Sequence, residues 1–224
     1  MTRSLLLPIA ALAIGEFVCA GTVRAQSGAM NGEGGQQLVD HAAQTVLKIM
    51  ADTRFETVLK HAKGVFIVPE MVNGSFLVGG PGGQGVLLTH DNGGPWSEPV
   101  FLSIGGVSID GPRDARTAPL AMILTTDKAV REFTGGSGFS LNGGAGLTIV
   151  YASAPGRAPD ARGDVIVWSG ESGRFAGADI SRAEIIPNIA QDVAYYRKQV
   201  NTREILEGHA NNPQAAKLKA ELPG

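Results

Sequence analysis

The chain has 224 residues, 43% hydrophobic and 18% charged, with a formal net charge of −2. That length carries one domain with a substantial core, and the mildly acidic balance excludes a general nucleic-acid binder, which shows a basic excess. A single cysteine, Cys19, excludes a disulfide framework and a cysteine-ligated metal centre.

The opening residues read as a secretory signal peptide, 1–25. Arg3 supplies the positive start, residues 5–14 are apolar, and Val23-Arg24-Ala25 is a small-x-Ala cleavage site. The apolar run is shorter than the roughly 18 residues of a membrane span. Cys19 falls inside this leader. Its lipidation is the rival reading, but Val18 stands where a lipoprotein carries Gly, Ala or Ser. The expectation is an exported protein of the periplasm or cell envelope, without a thiol.

Residues 26–35 (QSGAMNGEGG) are small and polar and read as a flexible lead-in. A helical period begins at Gln36. Leu38, Ala42, Val46 and Ile49 form one stripe, with Val39, Ala43, Leu47 and Met50 beside it. Asp52 or Thr53 can cap a second helix carrying Phe55, Val58, Leu59 and Ala62. Strands follow at 65–68, stopped by Pro69, then 75–78, 85–89 and 100–104, with 107–110 as an extension. Ten glycines between Gly74 and Gly106 mark turns, bulges and close backbone approaches.

Further on, a strand at 120–125 precedes a helix over 127–133 capped by Thr126. Strands at 139–142, 146–151, 164–168, 176–180 and 184–186 follow, with 153–162 as a loop. Residues 189–200 read as a helix presenting Ile189, Val193 and Tyr196. Asn201 and Glu204 form a capping box, and Asn212-Pro213 opens a last helix. Helix, many strands and helix give an α+β class. The architecture expected is a strongly curved, mostly antiparallel sheet, a sandwich or half-barrel, with N-terminal and C-terminal helices packed on it. Residues 36–222 form a single domain.

Catalytic patterns are missing. Gly80-Pro81-Gly82-Gly83-Gln84-Gly85 satisfies G-x-G-x-x-G, but VLLT follows it, and a dinucleotide site needs a helix there. A glycine hairpin or bulge is the reading. Ser137 and Ser172 lack the nucleophile-elbow pattern. His41, His61, His90 and His209 are scattered, without zinc spacing. Asp160 and Asp164 lack a calcium-loop pattern, and Asp179 and Glu184 read as solvated strand ends. Asn73-Gly74-Ser75 reads as a turn. Trp96 and Trp168 read as core. No catalytic residue, metal site or cofactor is expected. The cations Lys48, Arg54, Lys60 and Lys63 sit around the first two helices: a solvated face, or a patch that meets phospholipid headgroups.

Four blocks carry a resemblance: AKGVFIVPE, GGPGGQGVLLTHDNGGPWSEPVFLSIGG, SGRFAGADISRAEI and NIAQDVAYYRKQVNTREILEG. In order and spacing they are similar to the SYLF domain family, which was first described as an actin-binding domain of yeast endocytic proteins and recurs as a lipid-binding domain. The exported single-domain form looks like a bacterial branch. Gln84 stands where relatives usually carry lysine, and residues 108–117 depart from the usual glycine-rich continuation.

The resemblance implies a non-enzymatic, phospholipid-binding envelope protein that meets a membrane surface through its N-terminal amphipathic helix and nearby basic positions. Actin does not suit an exported protein as partner. The alternative is a structural or scaffold role, with another envelope protein as partner.

Overall fold

The computed structural model describes residues 26–72, 82–91, 94–109, 119–141, 146–151, 163–170, 178–180 and 182–224; of the side chains at 26–33, 72, 108–109 and 178–179 nothing is said. The leader, the strand at 75–78, the Asn73 turn, Asp160, Ser172 and the loop 153–162 lie outside the described residues.

Two helices come first, α1 (Gln26–Met50) and α2 (Thr53–Lys60). Asp52 caps α2 by accepting from the Arg54 N–H at 3.1 Å. Residues 26–35, expected as a flexible lead-in, are the first turns of α1. Extending a helix that is already packed adds one hydrogen bond per ordered residue, and no proline interrupts this stretch.

Strands β1 (Gly64–Val72), β2 (Gly82–Thr89) and β3 (Val100–Gly105) follow, then β4 (Ser108–Ile109) and β5 (Leu120–Leu124). Helix α3 (Asp127–Thr134) carries the expected Thr126 cap. Next come β6 (Phe139–Ser140), β7 (Ile149–Tyr151), β8 (Val165–Ser169), β9 (Ala178–Asp179) and β10 (Glu184–Pro187). The chain closes with α4 (Ile189–Tyr196), α5 (Thr202–Leu206), a 3-10 turn at Pro213–Ala215 and α6 (Ala216–Glu221). The capping box of Asn201 and Glu204 is present in α5.

Eight strands form one curled, half-barrel sheet in the order β6-β10-β3-β2-β1-β5-β8-β7, all neighbours antiparallel except β7 and β8. Strands β4 and β9 pair separately, so the expected extension of β3 instead leaves the main sheet after Gly106, at φ 72°. β1 is not stopped at Pro69. It runs through, with a register shift between Ile67 and Glu70. A bulge is where a strand tolerates proline, because the missing N–H is not needed there.

The central strands are apolar at successive positions because both faces of the sheet are covered. Val65, Ile67, Val86, Leu88, Phe101, Ile123, Ile166 and Trp168 face the layer of α1, α2, α4 and α6. Their neighbours Phe66, Val68, Leu87, Leu102, Met122, Leu124 and Val167 face the layer that includes α3 and α5. The split follows the period of two along each strand. Burying each such side chain contributes about 1.5–3 kcal/mol.

Of the G-x-G-x-x-G match, Gly82, Gly83 and Gly85 lie within β2, while Gly80 and Pro81 lie outside the described residues. A Cβ on Gly82 would sit 2.5 Å from the Ile104 carbonyl oxygen, and one on Gly83 2.6 Å from that of Glu70. They let β2 press against β1 and β3, and the next described element is strand β3, not a helix that could receive a pyrophosphate.

Candidate binding surface

Helix α1 is the element on which the sequence reading placed lipid contact, and its apolar stripe is spent inside the protein. Val39, Ala42, Ala43, Val46 and Ile49 are buried against the sheet, α4 and α6. Thr45 is buried too, and its hydroxyl bonds back to the His41 carbonyl at 3.0 Å. Leu47, read as part of the apolar face, is 49% exposed, with Lys48 exposed beside it in the last turn.

The four cations do not make one unopposed patch. Arg54 forks onto Asp52, with its Nη2 at 2.5 Å and its Nε at 2.9 Å from the carboxylate. This holds the Asp52 carboxyl below its ordinary range. Lys60 pairs with Glu56 at 2.7 Å, one turn earlier on α2. Lys63 reaches away to α3, 2.6 Å from Asp127, and keeps that carboxyl low as well. Lys48 alone of the four has no acidic partner among the described residues.

A second feature was not legible in the sequence. Helix α4 buries Gln191, Asp192 and Tyr195, while Ile189 is 53% exposed. Of the stripe Ile189, Val193 and Tyr196, only Ile189 is exposed; Val193 is half-buried and Tyr196 packs partly buried against both core clusters. Both tyrosine rings still dock. Tyr195 lies edge-on to Phe101, and the Tyr196 hydroxyl donates to the Pro99 carbonyl at 2.7 Å. Burial pushes both phenols up. Helix α4 ends at Tyr196 because Arg197 takes the left-handed conformation, φ 53°.

Gly35 lets α1 reach this face. A Cβ there would lie 2.6 Å from Gln191 Nε2 and 3.2 Å from Tyr195 Cδ2. On the other flank Glu98 is only 5% exposed. It pairs with Lys219 of α6 and accepts from the Asn212 N–H at 3.3 Å. Trp96 is core, as expected, and donates its indole N–H to the Pro223 carbonyl at 2.8 Å. Trp168 is core as well.

A cleft of about 340 Å³ opens beside α4, lined by Ala194, Tyr195, Tyr196, Arg197, Asn211, Asn212 and Gln214. Its side chains are amides, phenols and one guanidinium, which bind polar groups but offer no carboxylate–imidazole pair for proton transfer. Among the described residues no group of three or more His, Cys, Asp and Glu is placed to hold a metal. No described helix is long and apolar enough to cross a membrane.

Residues 116–223 match the family model Ysc84, described as Las17-binding protein actin regulator. The chain is 28% identical to protein YSC84 of Saccharomyces cerevisiae over 167 residues, which is 71% of this chain and 35% of that protein. Identity to LAS seventeen-binding protein 3 of the same yeast is 27% over 166 residues, 70% of this chain and 35% of the relative. The SH3 domain-containing YSC84-like protein 1 of Xenopus laevis is 28% identical over 175 residues, 74% of this chain and 50% of the relative. The chain therefore spans about a third to a half of the length of these relatives.

Proposed function

From its kinship with the Ysc84 (SYLF) proteins, we propose that this chain is a non-enzymatic binding domain, exported to a bacterial cell envelope, which meets a phospholipid surface at the outer corner of α1. The observation that carries the reading is the exposed pair Leu47–Lys48, an apolar side chain beside a cation without an acidic partner among the described residues. The contact is peripheral. The apolar stripe of α1 is already used in the core, so α1 cannot insert while it stays docked. Arg54 and Lys60 extend the corner, but their charges are largely offset by Asp52 and Glu56. Attraction to anionic headgroups would then be weak and lost with salt.

Cosedimentation of the protein lacking residues 1–25 tests this. Pelleting with vesicles of phosphatidylglycerol and phosphatidylethanolamine at low salt is expected, with much less on pure phosphatidylcholine. Absence from both pellets at low salt rejects it.

A second reading, a protein partner in the envelope, is favoured by the paired cations and the sealed stripe, and by the relative named as binding LAS seventeen. The same vesicle experiment separates the two. A protein that ignores lipid, yet crosslinks reproducibly to one envelope protein through an α1 position such as Leu47, has the scaffold role.

A further inference from the structure

We propose that the joint where α1 lies on α4 and β3 is a pH-sensitive clasp, tight in mild acid and loosened above neutral pH, with Asp192 as its titrating group. This response stands apart from what the domain binds.

Asp192 is fully buried. Its Oδ1 accepts the backbone N–H of Phe101 at 2.9 Å, and its Oδ2 is buried without a hydrogen-bond partner. An ionised carboxylate there is a desolvated charge with one donor, and such a charge is costly unless paired. No pair is at hand. The titratable and charged groups around the joint are Asp40 of α1, Glu98 ahead of β3, Tyr195 and Tyr196 of α4, and Lys219 of α6. The one cation among them is held by Glu98.

The joint also closes over other unsatisfied groups. Gln36 Oε1 of α1 and the Tyr195 hydroxyl of α4 are buried without partners, and Gly35 brings the two helices together at this point. Each such group favours opening, because water would satisfy it. The joint is thus less well satisfied than the apolar core on either side.

Burial pushes the Asp192 carboxyl up to about 7 from its ordinary 3.8. A carboxyl raised in the closed form holds its proton there while the open form has lost it. Closure is therefore most favourable below the open-form value, weakens as pH rises from about 4 to 7, and levels off above. With 3.8 for the open form and about 7 for the closed form, moving from pH 5.5 to 8.5 raises the opening constant about thirtyfold.

Amide hydrogen exchange over residues 35–49, corrected for intrinsic exchange rates, tests the proposal on the parent and on Asp192→Asn. Protection in the parent should fall about thirtyfold from pH 5.5 to 8.5, while the variant should hold nearly constant. A flat parent, or an equal fall in the variant, overturns the proposal. Should the variant not fold, carboxyl carbon NMR of the parent decides: one aspartate titrating near 7 is expected, and all carboxyls titrating below about 5 overturns it.

Discussion

Phe101 and Asp192, 91 positions apart in the chain, meet through one buried hydrogen bond, from the Phe101 backbone N–H to the Asp192 carboxylate at 2.9 Å. It ties α4 to the first residues of β3, beside the point where Asn188 returns a bond to the Phe101 carbonyl. Removing the acceptor with Asp192→Ala leaves a buried N–H unpaired, at a cost of about 1–3 kcal/mol. The loss should be larger at pH 5 than at pH 8, because above neutral pH the parent itself carries the penalty of a buried charge. Urea unfolding at the two pH values measures the difference. Equal losses would mean that Asp192 does not ionise in the folded protein over this range.

The glycines of β2 divide from another strand glycine by what surrounds them. Gly83→Ala drives a methyl into the Glu70 carbonyl and the Val68 side chain, and should cost about 1–3 kcal/mol or more, since backbone there cannot yield. Gly105, in β3, has nothing within 4 Å of its Cβ position, and Gly105→Ala should stay within about 0.5 kcal/mol of the parent. Thermal unfolding of the two variants is the comparison. Equal tolerance would contradict the packing of β2 between β1 and β3.

Glu98 and Lys219 anchor α6 beneath α1 and α4. Lys219→Met strands an almost fully buried carboxylate. The expected loss is about 2–3 kcal/mol, below that of a wholly enclosed pair because the lysine side chain is 31% exposed. Combining it with Glu98→Gln should restore much of that, because no uncompensated charge remains. A double variant no better than Lys219→Met would argue that shape, not charge, holds α6 in place.

At the corner of α1, Leu47→Glu and Lys48→Glu should leave the melting temperature nearly unchanged, since both side chains are exposed. Each should reduce pelleting with anionic vesicles. Lys63→Ala serves as the control, because its ammonium is engaged by Asp127 on another helix. Its effect on stability should be below about 1 kcal/mol, and its effect on pelleting small. A larger pelleting defect for Lys63→Ala than for Lys48→Glu would move the contact surface away from this corner.

Asp164 should behave oppositely to Asp192 in acid. The Thr148 N–H at 2.8 Å and the Thr126 hydroxyl at 2.7 Å hold its carboxyl below the ordinary range. That contribution is present above about pH 4 and is lost as pH falls through the lowered value. Asp164→Asn should be less stable than the parent at neutral pH, and the gap should narrow as acid protonates the lowered carboxyl of the parent. A gap that stays constant with pH would assign the loss to geometry alone.

Most elements were legible in the chain because their signals are local. The helical period from Gln36, the caps at Asp52, Thr126 and Asn201, and the apolar runs of β1, β2, β5 and β8 need only neighbours a few residues away. The misreadings share one cause. Pro69 reads as a strand end until the bulge against β2 is seen, and the helix read over 189–200 stops at Tyr196 because Arg197 turns left-handed. The cations near α2 left a solvated face and a headgroup patch open in the sequence, and that Lys63 turns to Asp127, 64 positions on, is equally a long-range fact.

By itself, the sequence determined the α+β class, the many short strands and the amphipathic character of α1, since hydrophobic period and capping chemistry are written within single turns and strands. Only the tertiary structure decided where the apolar side of α1 goes, which cations keep an unopposed charge, and that Asp192 is sealed against Phe101. Those outcomes depend on groups tens of residues apart competing for the same buried space, and no local pattern encodes which of them wins.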